Sequence, residues 1–405
     1  MLKFISAKRP HEEEAALEGV DVAVTEKPVL LTTAAALLLG AALPAQAGPI
    51  IEYEGEYQLL KYNEKDNRIS VEEQSAHLKH PLSASAELEV TAVLESLSGA
   101  SPQFVTNPDG TAIEVLSNPS ITESRRELDL KYSHYAEDTT ISIGNGYSDE
   151  NDYRSRSLNL GINQAFNQKN TLLSFGAGHS SDQISATNQP ALQQKRSTNN
   201  YLVGVTQTIS PTLILQSNLS YATGHGYYSD PYKFTMLFNP EIGPAPTIIA
   251  DQRPTERKAW AWLFSLRKYF PELGGSLSSD YRHYLDDWGV YADTIDLSWN
   301  KDSSGPWSTQ LSFRYHTQGD ADFYFADQLL TPVALGQPFS TDHRLAAFGA
   351  ITPGIQFSRR VDAQLQLNID LQYYRQSNSL QFSNKGNQLE SVEATIFALS
   401  FQQKF

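Results

Sequence analysis

The last nine residues of the chain constrain its fold more than any other stretch does. Apolar side chains occupy alternate positions there, namely Phe397, Leu399, Phe401 and Phe405. The positions between them are small or polar, and Gln403 stands where another apolar residue would continue the pattern. Because successive side chains of a β-strand point to opposite faces, this stretch predicts a two-faced strand that ends on an aromatic residue.

The same alternation recurs from Gly48 onward, in stretches of about 10–14 residues separated by turn residues. One example is 363–373, where Ala363, Leu365 and Leu367 alternate with glutamine and asparagine. The segment 341–360 contains Pro353, which predicts a bulge or a sheet edge there. We predict sixteen strands, at 51–62, 67–79, 84–98, 122–135, 138–147, 152–166, 169–180, 197–208, 211–222, 254–268, 274–286, 289–300, 306–318, 341–360, 362–377 and 390–405.

The connections between these strands fall into two classes. Every second connection is short, and the long connections at 99–121, 181–196, 223–253, 319–340 and 378–389 all fall on the other side. Bacterial outer-membrane barrels have short periplasmic turns and long extracellular loops, and the closing strand of this chain resembles theirs. The sequence therefore predicts an all-β fold: a single-chain transmembrane antiparallel β-barrel of about sixteen strands in the cell outer membrane.

Composition agrees with this prediction and excludes several other classes. The mean hydropathy of -0.39 fits a barrel, since only half of each strand faces lipid. The absence of cysteine excludes a disulfide scaffold, thiolate metal sites and a cysteine nucleophile. A net charge of -15 argues against nucleic-acid binding through a basic face.

The N-terminus has the features of a targeting segment. Residues 29–42 are apolar, and Ala45 and Ala47 form a small-x-small cleavage site. We therefore divide the chain into a signal segment, 1–47, and an outer-membrane barrel, 48–405. Residues 1–28 are longer and more acidic than an ordinary signal sequence requires. Either the true start lies downstream, or they form an extended n-region in which Lys27 supplies the local charge, or they are the cytoplasmic regulatory tail of an anchored protein.

Several stretches resemble one bacterial outer-membrane family. They are 97–102, 148–153, 280–289 and 314–324, within which Tyr-Arg-His-Tyr and Ala-Asp-Phe-Tyr are the more specific motifs. In this order the chain resembles the family called domain of unknown function 3570, over most of residues 50–405. The resemblance implies an outer-membrane barrel without assigned site residues, and it hints at a redox partner outside the cytoplasm.

Charged residues on the polar parity of the strands are the candidate lumen site. On the first and third strands they are acidic: Glu52, Glu54, Glu56, Glu87 and Glu89. On later strands they are basic: Arg257, Arg267, Arg282 and Arg314, with His316 beside them. Two walls of opposite charge would place a field across the pore and select among ions. The alternative is that these charges pair locally, as lumen charges commonly do.

The remaining titratable residues do not predict an enzyme. His134 and His283 share faces with apolar residues, so we expect them to point outward and not to share a metal. His316 near Ser312 is the nearest approach to a hydrolase site. No catalytic or phosphate-binding motif occurs, and no cofactor is expected. Acidic residues expected on the extracellular loops are solvated tips, Ca²⁺ ligands or bridges to divalent ions between lipopolysaccharide phosphates: Asp286, Asp287, Asp320, Asp322 and Asp327.

The loops 223–253 and 319–340 are unusually apolar, which predicts a constriction or a lid. The sequence as a whole predicts a porin-like or gated channel for small polar solutes or cations. The alternatives are a structural barrel that anchors an extracytoplasmic redox or surface assembly and, third, an outer-membrane hydrolase. Expected partners are outer-membrane lipid, lipopolysaccharide and the barrel-assembly machinery, which would read Phe405.

Overall fold

In a computed structural model of the chain, antiparallel strands close into one barrel. The structure describes residues 53–99, 102–106, 111–116, 121–237, 247–302, 305–325, 336–382, 388–389 and 391–405. The predicted signal segment, 1–47, and the candidate Glu52 lie outside the described residues. Within those residues, no helix is long and apolar enough to cross a membrane.

The barrel wall consists, among the described residues, of sixteen strands. In chain order they are β1 (Glu54–Glu64), β2 (Ile69–Ser83), β3 (Ala86–Gly99), β6 (Ile121–Ala136), β7 (Thr139–Asp149), β8 (Tyr153–Phe166), β9 (Thr171–Ile184), β10 (Gln194–Ser210), β11 (Leu213–Gly226), β14 (Glu256–Phe270), β15 (Gly275–Asp286), β16 (Tyr291–Asp302), β17 (Trp307–Gln318), β18 (Phe348–Arg360), β19 (Leu365–Ser377) and β21 (Val392–Lys404). Each strand pairs with the next, and β1 pairs with β21. Closure leaves no open sheet edge, so the wall can pair its backbone groups internally, as a lipid environment requires.

Five shorter strands lie within the described parts of the loops. They are β4 (Pro102–Thr106), β5 (Thr111–Leu116), β12 (Phe234–Leu237), β13 (Thr247–Ala250) and β20 (Gln388–Leu389). β12 pairs with β13, while β20, β5 and β4 form a separate three-stranded sheet. That sheet joins the loop after β3 to the loop before β21, so the extracellular loops are connected to one another.

All sixteen predicted strands are confirmed, with differences at their ends. The largest difference is at 341–360, where the predicted start is wrong. Asp342 accepts a hydrogen bond from the backbone N–H of Arg344 and so caps a 3₁₀ turn at His343–Leu345, and β18 begins only at Phe348. The bulge predicted at Pro353 is also wrong, because the register between β18 and β19 is the same on both sides of it. Proline lacks an N–H, so the ladder loses pairing there while the strand continues.

The two ends of the barrel differ as the sequence predicted. The first residue of β1, the last residue of β21 and the strand ends that flank the short turns lie at the periplasmic end; the turns are 84–85, 137–138, 167–170, 211–212, 271–274, 303–306 and 361–364. The strand ends that flank the long connections 100–120, 185–193, 227–255, 319–347 and 378–391 lie at the extracellular end. Neighbouring strands run in opposite directions, so successive connections alternate between the two ends of the barrel. One missed strand would therefore have placed long connections at both ends.

The two faces of the wall are chemically distinct. Large exposed apolar side chains, among them Leu158, Leu160 and Phe175, share the outward parity. Outward aromatic residues also pack against one another, as Tyr57 does against Phe401 with ring centroids 5.1 Å apart. The other parity faces the lumen and is polar on many strands, but inward side chains of β1, β2, β18, β19 and β21 pack into an apolar cluster that includes Tyr62, Val71 and Ile396. The outward-facing pair Lys61–Glu72 is ionic and exposed, with 3.0 Å between its charged atoms. The parts of β1 and β2 that carry this pair therefore extend beyond the lipid.

Candidate functional site: the charged lumen and its extracellular cap

The acidic candidates lie on the lumen parity at the periplasmic end of β1 and β3. Each of three carboxylates has a basic neighbour: Glu54 contacts Lys404 at 3.1 Å, Glu87 contacts Lys79 at 3.2 Å and Glu89 contacts Lys131 at 3.0 Å. Glu56 shares their parity, opposite His77 and Gln402. The periplasmic mouth is therefore a belt of alternating charge on this side, with acids next to lysines.

The basic candidates lie on the lumen parity of β14, β15 and β17. Three of them form ion pairs with aspartates on neighbouring strands: Arg257 with Asp286 (2.8 Å), Arg267 with Asp280 (2.9 Å) and Arg314 with Asp296 (2.5 Å). Arg282 lies opposite Leu263 and Thr294, and no carboxylate of the described residues forms an ion pair with it. Local pairing thus neutralises most of this wall, which favours the local alternative over a strong transverse field.

Asp286 is not the solvated loop residue that the sequence suggested. It ends β15, and its carboxylate is buried against Arg257. It also accepts hydrogen bonds from Tyr284 Oη (2.9 Å) and from the backbone N–H groups of Trp288 and Val290. The prediction was wrong because a short turn and a facing arginine draw this carboxylate into the lumen wall.

His316 lies on the lumen side with both ring nitrogens engaged. Nδ1 is 2.9 Å from Thr294 Oγ1, and Nε2 is 3.4 Å from Gln318 Oε1. The ring also packs against Phe348. Ser312 lies four positions along β17, opposite Ser298 and Gly354. The pairing of nucleophile and base that a hydrolase needs is therefore not formed by these two residues.

His134 and His283 both take the outward parity that the sequence predicted. His134 is opposite Ile141, and His283 is opposite Trp262. His283 Nδ1 lies 2.8 Å from the carboxylate of Asp293, which also accepts a hydrogen bond from Tyr281 Oη at 2.7 Å. This cluster faces outward from the barrel, away from the lumen.

A second acidic group, which the sequence analysis did not single out, lines the lumen farther toward the outside. Glu73 of β2 is directly opposite Glu95 of β3, and Glu95 is directly opposite Arg125 of β6. Arg125 contacts Glu95 at 3.6 Å and Glu127 at 3.5 Å. With the periplasmic glutamates, these residues give the β1–β6 side of the lumen more carboxylates than basic groups.

The lumen wall from β7 to β10 is uncharged over much of its length and carries small residues. Its inward positions include Gly144, Gly146, Gly161, Gly176, Gly178 and Gly204. At Gly204 the missing side chain leaves room for the side-chain amide of Asn218 from β11. Because these inward residues are small and mostly uncharged, the charged β1–β6 side dominates the electrostatics of the lumen.

The two longest loops pack together at the extracellular end and form what we call the cap. The cap comprises the described parts of 227–255 and 319–347 with the turn 287–290. Its apolar centre consists of Tyr228, Trp288, Val290, Ala321, Phe323, Tyr324, Leu345 and Ala346. The rings of Trp288 and Phe323 meet edge to face at 5.2 Å. The apolar composition of these loops, from which the sequence predicted a constriction or a lid, thus corresponds to a packed core.

The cap is joined to lumen-facing side chains of the wall. The guanidinium of Arg257 lies 4.3 Å from the ring centroid of Trp288, and that of Arg196 lies 5.1 Å from that of Tyr228. Arg196 in turn forms a buried ion pair with Asp182 at 2.9 Å. Stacking of arginine on aromatic rings is favourable when both groups are desolvated. These contacts place the cap against the inside of the wall.

A buried ion-pair network holds the two loops of the cap together. Arg253 contacts Asp251 at 2.7 Å and Asp342 at 2.6 Å, and Arg344 contacts Asp230 at 2.6 Å. Arg344 also contacts Asp342, whose side chain is 0% exposed. Acidic and basic side chains from 227–255 and from 319–347 therefore alternate within one ion-pair network.

The network controls the ionisation of its own aspartates. Burial would raise the pKa of Asp342, but Arg344, Lys233 and Arg253 hold it well below the usual 3.8. The same balance lowers the pKa of Asp230. Burial dominates at Asp251 and raises its pKa, although Arg253 opposes this. Two of the three aspartates thus favour the closed cap in their charged form.

A third acidic group lies at the extracellular rim. Oxygen atoms of Glu123, Glu150 and Asp152 lie within 4.8 Å of one another. The hydroxyl of Tyr232, from the cap, donates a short hydrogen bond to Asp152. Carboxylates this close can hold Ca²⁺, which takes several oxygen ligands. No single sequence motif marks this group, because its members come from β6 and from the turn before β8.

The solved structures that resemble this chain are outer-membrane proteins. A bacterial polysaccharide outer membrane secretin is 7% identical with a TM-score of 0.49, covering 88% of this chain and 99% of its own. OccD3 (OpdP) from Pseudomonas aeruginosa is 11% identical with a TM-score of 0.43, covering 92% and 98%. Such low similarity carries no functional argument, and the barrel assignment rests on the strand pairing itself. Comparison with curated protein sequences finds no match.

One protein family matches nearly the whole barrel. The sequence profile described as protein of unknown function (DUF3570) aligns with residues 29–402. This confirms the resemblance found in the sequence motifs, and the match covers every barrel strand almost to the last residue of β21. The chain belongs to the DUF3570 family.

Proposed function

We propose that this barrel is a gated channel of the outer membrane for small cations and small polar solutes. The cap is the observation that carries the proposal. It is a packed unit at one end of the barrel, and its two loops are held together by a few ion pairs. A barrel that only anchors a partner would not need two loops that can separate and open the lumen.

The charge distribution supports cations over anions. Three carboxylates, those of Glu73, Glu95 and Glu127, lie beside a single basic residue, Arg125. On the other wall, one aspartate forms an ion pair with each of Arg257, Arg267 and Arg314. A lumen whose fixed charge is mostly negative raises the local concentration of cations and lowers that of anions. Arg282 is the one candidate that opposes this trend, and it lies on the far wall from β2.

Flux measurements in proteoliposomes test the proposal. Vesicles with the refolded chain should release trapped K⁺ or lysine faster than empty vesicles, and faster than they release a sulfonate dye of similar size. A variant with a loosened cap should increase the flux. Equal leakage of cation and sulfonate would contradict the cation preference. No flux from any variant, despite correct folding, would contradict the channel.

A second candidate function follows from the same cap. If the network never opens, the lumen passes nothing, and the barrel would serve as an anchor for a surface or redox assembly. That function predicts no flux in any variant and the co-purification of a partner from native membranes. The flux experiment therefore separates the two candidates.

A further inference from the structure

The outward face of β6–β10 carries a row of polar and charged residues near its extracellular end. The row crosses the strands in register, and its members, one from each strand, are Arg126, Asp149, Arg154, Gln183 and Lys195. Arg156 follows two positions farther down β8, on the same face. All four basic side chains of this region are exposed, so their charges point away from the lumen and toward the surroundings of the barrel.

Most of this positive charge is not neutralised within the protein. Asp149 is the one carboxylate of the row, and it forms an ion pair with Arg154 at 2.7 Å. No carboxylate of the described residues forms an ion pair with the other three basic side chains. We call these three residues the outer basic patch: Arg126, Arg156 and Lys195. Three exposed cations without partners stand out in a chain whose net charge is -15.

Other outward charges at this end of the barrel do have partners. Lys61 of β1 forms an ion pair with Glu72 at 3.0 Å, and His283 of β15 contacts Asp293 at 2.8 Å. The outer basic patch therefore does not follow from a general requirement for charge at the rim. A local excess of positive charge on one side of the barrel indicates a surface that meets an anionic partner.

The outer basic patch lies directly above the apolar belt of the wall. Below it on β8, Leu158 and Leu160 point outward and are 48% and 51% exposed. Between these two levels, the guanidinium of Arg156 lies 5.8 Å from the ring centroid of Tyr147. Aromatic rings and long basic side chains occupy the boundary between lipid and water, with their charged ends toward the head groups. The patch therefore lies at the level of the outer-leaflet head groups.

We propose that the outer basic patch binds the phosphate groups of lipopolysaccharide in the outer leaflet. A guanidinium offers a fork of N–H donors that matches the oxygens of a phosphate, and the lysine adds a further positive charge. Adjacent strands are about 5 Å apart, so a row that crosses from β6 to β10 extends over roughly 20 Å and can meet more than one phosphate. The apolar side chains below it then contact the acyl chains of the same lipid. This inference does not depend on the proposed channel.

Native mass spectrometry of the refolded full-length chain in detergent tests the inference, with bis-phosphorylated lipid A as the probe. The variant Arg156→Gln should bind lipid A about fivefold more weakly, because one basic residue beside an anionic head group contributes a factor of about this size. The triple variant that adds Arg126→Gln and Lys195→Gln should bind it about a hundredfold more weakly. Because all three side chains are exposed, the variants should fold, which heat-modifiable migration on a gel verifies.

The matched control is Arg359→Gln. Arg359 also faces outward and also lies over an aromatic ring, 5.2 Å from the ring centroid of Trp307. It differs in its place, because these two residues are paired at the periplasmic end of β17 and β18. The control variant should therefore bind lipid A as tightly as the wild type does.

Four results would overturn the proposal. One is equal affinity of the wild type and the triple variant for lipid A. Another is equal binding of dephosphorylated lipid A, which would assign the interaction to the apolar belt alone. A third is binding of phosphatidylglycerol as tight as that of lipid A, which would mean that any anionic lipid suffices. The last is a triple variant that loses affinity for inorganic phosphate but not for lipid A, which would assign the patch to a free anion.

Discussion

Replacement of Arg344 by methionine is expected to loosen the cap. Arg344 joins Asp230 of one loop to Asp342 of the other, and Asp342 is fully buried. Methionine keeps much of the side-chain volume but removes the charge. The substitution leaves a buried carboxylate with one fewer cation, while Arg253 still contacts Asp342 at 2.6 Å.

The magnitude follows from the burial of the pair. Removing one partner of a buried ion pair costs roughly 3–5 kcal/mol. We take the lower end, about 3 kcal/mol, because Arg253 remains and Arg344 is partly exposed. At about 1.4 kcal/mol per factor of ten, the ratio of open to closed cap should rise by roughly a hundredfold.

The assay is single-channel recording combined with tryptophan fluorescence. Trp288 lies in the buried centre of the cap, so its quenching by acrylamide should increase in Arg344→Met together with the open probability. The control is Arg154→Met, which removes an exposed pair with Asp149 at the same end of the barrel; exposed pairs contribute roughly 0–1 kcal/mol. If Arg344→Met and Arg154→Met behave alike in both measurements, the network does not hold the cap closed.

Three further predictions concern pH, backbone geometry and assembly. Because the pKa values of Asp342 and Asp230 lie below 3.8, the stability that these two carboxylates give to the closed cap is present above pH 3.8 and is lost as the pH falls below it. Trp288 quenching should therefore rise reversibly in that acid range. Gly99 has a φ of 145°, and a methyl group there would collide with the carbonyl oxygen of Arg68, so Gly99→Ala should lower the free energy of unfolding in urea by about 1–3 kcal/mol, whereas Gly55→Ala, which meets only Phe405 at 3.6 Å, should change it little. Deletion of Phe405, which is 68% exposed, should reduce the amount of barrel inserted in cells without preventing refolding in detergent; Phe382→Ala, at the other end, should not, and equal insertion of both would contradict a role in assembly.

The barrel could be predicted from the sequence because the patterns that define it lie within single strands and the connections between them. Alternation assigns each residue to a face, and the succession of short and long connections fixes the direction of every strand. The same parity placed Glu54, Glu87, Arg257 and Arg314 on the lumen side, where the structure has them. Glu73 and Glu95 also occupy the polar parity of their strands, so their lumen-facing position could have been predicted in the same way.

The partners of those charges could not be predicted, because they depend on register. A shift of two residues keeps every face unchanged and yet exchanges every cross-strand pair. Asp280 and Asp296, which neutralise Arg267 and Arg314, are therefore visible only once the strands are aligned. The cap network is harder still, since Asp230 and Arg344 are 114 positions apart on two loops without any periodic pattern.

The most direct test of the account is the reversal potential of single channels in a planar bilayer under a KCl gradient. The wild-type chain and Arg344→Met would be recorded side by side. The account predicts a reversal potential of the sign that K⁺ selectivity requires, with rare openings in the wild type and frequent openings in the variant. A reversal potential of the opposite sign would contradict the role assigned to the β1–β6 carboxylates, and the absence of openings in both folded proteins would contradict the channel.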